Sequence, residues 1–418
     1  MAEISPFKGL LFNKEIIKDF SQVVTQPYDK ISPQLQQEYY NRSPYNIIRI
    51  EKNQAEVEND AYKTAAFYLE VWHKKGVISK SQNSGYYYLE QTFEFFKEQI
   101  TRKALIGMGK LHPYSANIIL PHEQTLKGPK IDRLKLLEAT KINLGQIFML
   151  YKDKEKLLDT YIAGINKEVV LEFYDDEKIK QKLYFIDDKV AVAKITALLQ
   201  DKQLFIADGH HRYETALAYS QDHPSADCHM MSFVNAYDDG LKILPTHRLI
   251  NFDLQYDYSN LIKELGKHFL IKPLPATQNA DNINDYINQL PPKSCILISK
   301  EDKHNFLQLT LRNEVNSSTT LSASLTELDV YILHHYIIEN ILGITKEDLA
   351  NHTYITYKRD ATGSVNEVIN DKQALCFLLK PTAVDEVLKV ALNKETMPQK
   401  STDFYPKLLT GYVMADVS

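Results

Sequence analysis

The sequence predicts an α/β (α+β) protein. Apolar runs of strand length alternate with helix-length segments along most of the chain. One strand–turn–helix unit at 203–219 is marked more clearly than any other. At 418 residues, the chain is long enough for two or three domains or one core with additions.

Hydrophobic pattern and turn residues give the order of the elements. Pro-rich turns are predicted at 26–29 and 43–46, the second leading into a strand-like Ile47–Ile50. Helices are predicted at 55–75, 133–143, 190–200, 258–268, 328–341 and 383–393. Strands are predicted at 85–96, 100–111, 146–151, 182–187, 229–235, 241–244, 294–299, 306–311, 353–357 and 374–379. The first two strands are close enough in sequence to form a hairpin.

Composition argues against several classes of protein. A net charge of −5 and a pI near 6.2 argue against a general nucleic-acid binder, which would be basic. The three cysteines (Cys228, Cys295 and Cys376) are far apart, which favours reduced thiols over a zinc ribbon or disulfides. The N-terminus does not read as a signal peptide, and no apolar run approaches the roughly eighteen residues of a membrane span. We therefore expect a cytoplasmic protein without a membrane or nucleic-acid partner.

The segment 203–217, QLFIADGHHRYETAL, is the most informative in the chain. It predicts a strand, a tight turn at Asp208-Gly209 and a helix, with Asp208 as the N-cap. His210, His211 and Arg212 then fall in the first helical turn, where the helix dipole disfavours cations. Donors placed where free N–H groups already point outward favour a site for an anion such as phosphate.

A purely structural interpretation of this segment also exists, because a capped strand–turn–helix is common and one histidine could be packed. Adjacent helical residues, however, project about 100° apart, so both histidines cannot be buried on one face.

Three further segments carry polar residues suited to anion chemistry. The 120–133 loop contains His122-Glu123, which is not a zinc HExxH motif because position 126 is leucine. Glu123 lies too far before the helix predicted at 133 to cap it, and so suits a general base. Anion contacts are predicted for two groups of residues: Thr246, His247 and Arg248 just after a strand, and Lys400, Ser401 and Thr402 in a C-terminal loop. Each segment alone could equally be solvated surface.

The common nucleotide-enzyme signatures are missing from the sequence. It has no GxxxxGK[ST] loop, no GxGxxG after a strand, no GxSxG elbow and no HRD…DFG set. Gly107-Met108-Gly109-Lys110 is too short for a phosphate loop and is better explained as a strand.

The motif IADGHHRYETA at 206–216 resembles the hallmark of a widespread prokaryotic family of unknown function. The resemblance extends over nearly the whole chain. It includes Pro27-Tyr28-Asp29, Ser43-Pro44-Tyr45-Asn46, Pro121-His122-Glu123 with Asp132-Arg133, Leu244-Pro245-Thr246-His247-Arg248, and Lys400-Ser401-Thr402 with Tyr405-Pro406-Lys407. The DGHHR core is also similar to that of the free serine kinases, which are built on the ParB/sulfiredoxin fold.

The resemblance implies a ParB/sulfiredoxin-like core with large N- and C-terminal additions. The division it implies is an N-terminal region at 1–100, a catalytic core at 101–250 and a C-terminal α/β region at 251–418 that closes the site. The implied activity is phosphorylation of free L-serine to O-phospho-L-serine by pyrophosphate, ADP or ATP, without an organic cofactor.

The resemblance also implies roles for individual residues. Glu123 is the best match for the catalytic glutamate, and Asp208 would assist it or hold Mg²⁺. His210, His211 and Arg212 would hold the transferring phosphate. The outer substrate contacts would come from His122, Gly209, Thr246, His247, Arg248, Lys400, Ser401 and Thr402. We expect Glu123 within about 12 Å of His210 or His211, since proton transfer needs hydrogen-bond reach.

Three alternative functions stay open. The same site run backwards would be a phosphoserine phosphatase. A ParB-like nucleotide- or DNA-associated module would carry a basic patch and a helix-turn-helix, and the acidic composition argues against it. A non-catalytic sensor of small anions or amino acids would keep the phosphate contacts without needing Glu123.

Overall fold

The computed structural model describes residues 2–125, 127–274, 282–313 and 322–417. The chain divides into two compact units. Unit 1 contains the described residues of 1–121, 125–242 and 406–418, and unit 2 those of 122–124 and 243–405. The three-region division drawn from the sequence stays a prediction.

Unit 1 is built on a mixed sheet of nine strands, counted over the described residues, in the order β6-β11-β8-β12-β5-β4-β10-β9 with β1 beside β5. The strands of unit 1 are β1 (Ile4–Ser5), β2 (Leu10–Phe12), β3 (Ile78–Lys80), β4 (Tyr86–Phe95), β5 (Glu98–Lys110), β6 (Ile119–Leu120), β7 (Ile142–Asn143), β8 (Ile147–Tyr151), β9 (Glu168–Tyr174), β10 (Lys180–Ile186), β11 (Leu204–Asp208), β12 (Cys228–Asn235) and β21 (Ala415–Asp416). Its α-helices are α1 (Pro33–Arg42), α2 (Ile48–Glu51), α3 (Ala61–Lys74), α4 (Lys127–Thr140), α5 (Leu157–Ala163), α6 (Lys189–Leu199) and α7 (His210–Asp222), with 3-10 turns at Phe20–Gln22, Tyr28–Lys30 and Tyr114–Ala116.

The two faces of the unit 1 sheet differ in polarity. One face is apolar and contributes Ile147, Met149, Ile206 and Met231, among others, to a core that includes Ile195 and Leu199 of α6. On the other face, the strand register places Asp208 and Ser232 opposite Phe148 of β8. Arg102, Gln91 and Gln181 pair in register with one another on the same face, further along β5, β4 and β10. A sheet with one polar, covered face can hold a functional site without losing its apolar core.

Unit 2 has its own sheet, with strand order β15-β17-β16-β19-β14-β18. Its strands are β14 (His247–Ile250), β15 (Phe269–Pro273), β16 (Ser294–Ser299), β17 (Asp302–Leu311), β18 (Ile355–Lys358), β19 (Leu375–Leu378) and β20 (Phe404–Tyr405), and β13 (Lys242–Ile243) marks the change of unit. Its α-helices are α8 (Tyr258–His268), α9 (Ile283–Gln289), α10 (Ala323–Thr326), α11 (Asp329–Ile332), which continues as a π-helix at Leu333–Ile341, α12 (Lys346–Asn351), α13 (Ala361–Ile369) and α14 (Val384–Leu392). Leu249, Ile296, Val365 and Cys376 lie in its apolar core.

The predicted α/β class is confirmed, and so are most predicted elements. The hairpin of β4 and β5 forms with its turn at Phe96-Lys97, both residues having positive φ. The prediction of a strand at Ile47–Ile50 is wrong, because these residues lie at the start of helix α2. The side-chain oxygen of Asn46 accepts a hydrogen bond from the Ile48 N–H at 2.9 Å, which favours the helical turn locally. No helix of the described residues is long and apolar enough to cross a membrane.

Gly209→Ala should destabilise unit 1 by about 1–2 kcal/mol, because Gly209 has φ +93° and an L-residue is strained there. The nearest atom to an added Cβ is the Ile147 Cα at 3.5 Å, so the cost comes from the backbone conformation and not from a clash. Urea unfolding measures the effect. Gly128→Ala in α4, where a Cβ meets nothing within 4 Å, is the matched control and should be neutral or stabilising. Equal effects of the two substitutions would contradict this explanation.

Candidate functional site

The strand–turn–helix predicted from the sequence is present in unit 1. Strand β11 ends at Asp208, Gly209 turns the chain with φ +93°, and α7 begins at His210. The Gly209 carbonyl accepts the first helical hydrogen bond, from the Tyr213 N–H at 3.0 Å. His210, His211 and Arg212 therefore do form the first helical turn, whose N–H groups have no partners within the helix.

The prediction that Asp208 caps this helix is wrong. Gly209 is the N-cap, and no side-chain cap is present. Asp208 is instead the last residue of β11 and pairs with Phe148 of β8. Its carboxylate accepts a hydrogen bond from the Lys407 ammonium at 2.7 Å. The carboxylate is thus turned towards a cation contributed by the C-terminal segment, away from the helix N–H groups.

The carboxyl of Asp208 is held in its charged form. Burial opposes ionisation, but the charge and hydrogen bond of Lys407, with the charges of Arg212 and Lys30, keep the pKa of Asp208 well below its usual range. A low pKa favours a role as an ion or hydrogen-bond acceptor near neutral pH, because such a group is a weak base.

The stability contributed by this ion pair should depend on pH. Since the pKa of Asp208 is lower in the folded protein, the contribution is present above the unfolded value, about 3.9, and is lost as pH falls below it. Wild type should therefore exceed Asp208→Asn in free energy of unfolding near neutral pH, and the gap should shrink near about pH 3. Urea unfolding at both pH values checks this. An equal gap at both would contradict the assignment.

Arg212 is held in place by polar and aromatic partners. Its Nη1 donates to the Gln146 carbonyl at 2.8 Å, and its Cζ lies 5.8 Å from the centre of the Tyr28 ring. The Arg133 guanidinium lies 4.3 Å from the same ring centre. Burial raises the pKa of Tyr28 to about 12 despite these two cations, so the phenol stays neutral. Arg212 is half-buried and is not packed into an apolar core, whereas His210 is buried and His211 is half-buried.

The predicted loop at 120–133 is wrong in its second half, because α4 already begins at Lys127. Pro129 fits there since the first turn of a helix does not use its N–H groups.

In unit 2, the residues just before this helix lie beside the C-terminal loop. The Met397 N–H donates to the His122 carbonyl at 2.8 Å, and Glu123 and Met397 form a parallel bridge.

His122 and Glu123 lie against the predicted anion-contacting loop at 400–402. His122 Nε2 is 3.0 Å from Thr402 Oγ1, and Glu123 Oε1 accepts a long hydrogen bond from the Lys400 N–H at 3.5 Å. Ser401 is buried, with its hydroxyl donating to the Pro398 carbonyl at 2.5 Å. The structure thus brings together predicted site residues that are nearly 280 positions apart in sequence.

Thr246, His247 and Arg248 follow strand β13, as predicted, but the last two already belong to the next strand, which the sequence did not predict. His247 and Arg248 lie in β14, which is paired on both sides, and both are buried. Burial, together with the charge of Arg248, lowers the pKa of His247 to about 3. The ring is therefore neutral, and its Nδ1 accepts a hydrogen bond from the Leu379 N–H at 3.3 Å.

The Arg248 guanidinium has internal partners. It donates to His334 Nε2 at 3.2 Å, to the Lys400 carbonyl at 3.0 Å and to the Thr246 carbonyl. These contacts favour a role in holding the 400–402 loop over direct binding of phosphate. The predicted role of Arg248 as an outer donor stays a prediction.

Sequence reasoning missed a hydrogen-bonded chain on the polar face of the unit 1 sheet. Arg102 donates to the Gln91 side-chain oxygen, the Gln91 amide donates to the Lys407 carbonyl at 3.1 Å, and Lys407 reaches Asp208. Burial lowers the pKa of Arg102 to about 10, so it stays cationic near neutral pH. The available signal was the alternation of β5, which puts Arg102 on the same face as Ala104 and Ile106.

The sequence of residues 4–331 matches the family described as "Protein of unknown function (DUF1015)". The chain belongs to the DUF1015 family. No curated protein matches this DUF1015 chain in a sequence search.

Solved structures similar to this DUF1015 protein include three of low identity. A conserved hypothetical protein from Pyrococcus furiosus is 11% identical, with a TM-score of 0.37, covering 72% of this chain and 92% of that one. A free serine kinase in complex with AMP is 12% identical, with a TM-score of 0.37 and coverage of 72% and 88%. SbnI with C-terminal truncation from Staphylococcus aureus is 12% identical, with a TM-score of 0.36 and coverage of 72% and 85%.

Proposed function

We propose that this protein transfers a phosphoryl group to the hydroxyl of free L-serine and releases O-phospho-L-serine. The observation that carries the proposal is the first turn of α7, where His210, His211 and Arg212 follow a glycine turn directly after the ion-paired Asp208. A helix N-terminus with added cationic donors suits a phosphate group. The similarity of the DGHHR motif to that of free serine kinases supports the choice of acceptor.

In the proposed reaction the serine Oγ attacks the terminal phosphorus of the donor. The new Oγ–P bond forms as the bridging P–O bond breaks, and the serine hydroxyl proton passes to the Glu123 carboxylate. With pyrophosphate as donor the leaving group is inorganic phosphate. Such reactions need positioning and neutralisation of charge more than covalent catalysis.

Each proposed role follows from the chemistry of the side chain. The imidazoles and Arg212 hold the phosphoryl oxygens, and the Lys407 ammonium keeps Asp208 charged and fixed in orientation. Thr402 and the Lys400 N–H contact His122 and Glu123, which would restrict how the base moves. Arg248 positions this loop through the Lys400 carbonyl.

Mg²⁺ would be held only in part by the protein. Among the described residues no group of three His, Cys, Asp or Glu side chains could hold a metal ion. Asp208 offers one carboxylate oxygen beyond the one bonded to Lys407, and its low pKa fits a hard cation. The remaining ligands would be donor phosphates and water, as is usual for Mg²⁺, which would neutralise charge on the phosphates.

The test is an assay of purified full-length protein with L-serine, MgCl₂ and one donor at a time: pyrophosphate, ADP or ATP. We expect phosphoserine, identified by mass spectrometry, with at least one donor, and loss of product when EDTA removes the metal. Phosphoserine supplied alone tests the reverse reaction. Failure of all three donors, with hydrolysis of phosphoserine to serine, would replace the kinase by a phosphatase.

A further inference from the structure

A cavity in unit 1 is lined in part by Arg212, which is the one residue that it shares with the phosphate-binding roles above. Its volume is about 50 Å³, several times the roughly 10–15 Å³ that one water molecule needs. Leu136, Leu144 and other apolar side chains form part of its wall, and its polar lining residues are Glu51, Arg133, Asn143, Arg212, Thr215 and His229. It can therefore hold a small polar molecule.

His229 presents a hydrogen-bond acceptor to this cavity. The side chain is 95% buried, being only 5% exposed. Its Nδ1 lies 2.8 Å from the Met230 carbonyl, which can only accept, so Nδ1 carries the proton. The Nε2 atom is then an acceptor, and it has no protein partner within the described ranges. Burial, with the charge of Arg212, lowers the pKa of His229 to about 4, which keeps the ring neutral.

Glu51 supplies a second acceptor. Its side chain is buried, and Oε1 pairs with Arg133 Nη1 at 3.2 Å. The Arg133 guanidinium also donates hydrogen bonds to the Glu51 carbonyl and to the Asp132 carboxylate. The second oxygen of the Glu51 carboxylate therefore remains available to a ligand in the cavity.

Asn143 and Arg212 supply donors. The Asn143 side-chain oxygen accepts from the Met230 N–H at 3.0 Å, which fixes the amide orientation and leaves its NH₂ group to donate. Nη1 of Arg212 donates a hydrogen bond to the Gln146 carbonyl, and the guanidinium has further N–H groups that can donate to a ligand. Within the described part of the chain, neither the Asn143 amide nitrogen nor the rest of this guanidinium has a hydrogen-bond partner.

We propose that this cavity binds the α-amino and α-carboxylate groups of an amino acid. Two acceptors, one of them a carboxylate, disfavour a simple anion, and the Arg212 guanidinium disfavours a simple cation. A zwitterion satisfies both: its carboxylate binds Arg212 and Asn143, and its ammonium binds Glu51 and the neutral His229. The amino-acid class follows from the cavity alone, whereas the choice of L-serine rests on the proposed function.

The test is isothermal titration calorimetry of the full-length protein with L-serine, two derivatives of L-serine, L-alanine and glycine. L-serine should bind, while N-acetyl-L-serine, which lacks the ammonium, and L-serinamide, which lacks the carboxylate, should each bind at least about tenfold more weakly. Similar affinity for all three, or no binding of L-serine, L-alanine and glycine, would overturn the proposal. This comparison uses wild-type protein, so no folding defect can obscure it.

Two substitutions locate the site. His229→Phe removes the Nε2 acceptor, and Asn143→Asp keeps the acceptor for Met230 but faces the ligand carboxylate with a negative charge. Each should weaken L-serine binding about tenfold and leave pyrophosphate binding unchanged. His112→Phe, a partly buried histidine outside the cavity, is the matched control. Unchanged L-serine affinity in both folded variants would overturn the assignment.

The outcomes separate this inference from the proposed function. If no donor yields phosphoserine but both variants lose L-serine binding, the cavity assignment stands and phosphoryl transfer fails. If phosphoserine forms and the KM for serine is unchanged in both variants, the cavity assignment alone fails.

Discussion

Glu123→Gln should lower kcat by about 10²–10⁴, the usual contribution of a general base, while phosphoserine binding changes little. The amide of glutamine keeps the size and most of the hydrogen bonding of glutamate, including an oxygen that can accept from the Lys400 N–H. It cannot take the hydroxyl proton of serine. Because that proton moves only as the bond to phosphorus forms, the loss should appear in kcat rather than in ligand affinity.

The control for Glu123→Gln is Glu155→Gln, which changes an exposed loop glutamate in the same way. Turnover by mass spectrometry and phosphoserine binding by calorimetry should be measured on both variants. Near-normal turnover in Glu123→Gln would remove this residue from the mechanism. The general-base assignment would then move to Asp208, although its low pKa makes it a weak base.

Arg212→Ala should weaken binding of pyrophosphate and of phosphoserine roughly ten- to a hundredfold, since a hydrogen bond to a charged group is worth about 1.5–3 kcal/mol. In the proposed mechanism the guanidinium binds the phosphate in both the ground state and the transition state. KM should therefore rise more than kcat falls. Removing Arg212 also leaves the Gln146 carbonyl without its donor, so a modest drop in Tm is expected.

Arg42→Ala is the matched control for Arg212→Ala. Arg42 is a unit 1 arginine that pairs with Asp176 at 2.8 Å on the surface. It should leave both affinities unchanged. If Arg212→Ala binds pyrophosphate and phosphoserine as wild type does, the first turn of α7 does not hold the phosphate.

The fold was predictable where pattern and turn chemistry agree. Gly209 and the apolar run before it give β11 and α7 within a residue or two, and alternation gives the hairpin of β4 and β5. Prediction failed where a single side chain or a tertiary contact determines the local conformation. Asn46 turns a β-branched segment into α2, and Lys407, some 200 residues away, draws Asp208 from the cap position.

The candidate site was predictable in its residue types but only partly in their contacts. The sequence identified His122, Glu123 and the 400–402 loop as separate polar segments, and the structure joins them within unit 2. Arg248 was predicted as an outer donor to phosphate, and its burial could not be predicted because it depends on the pairing of β14 with two strands that are distant in sequence. Arg102 escaped notice because an arginine in a strand is usually exposed.

Phosphorus NMR of wild type and Glu123→Gln side by side tests the central claim most directly. Each protein is incubated with L-serine, Mg²⁺ and the donor found active in the assay, and the phosphoserine signal is followed with time. The signal should grow at the expense of the donor signal in the wild-type sample and stay near background with Glu123→Gln. Equal growth with both proteins, or donor loss to inorganic phosphate without phosphoserine, would contradict the account.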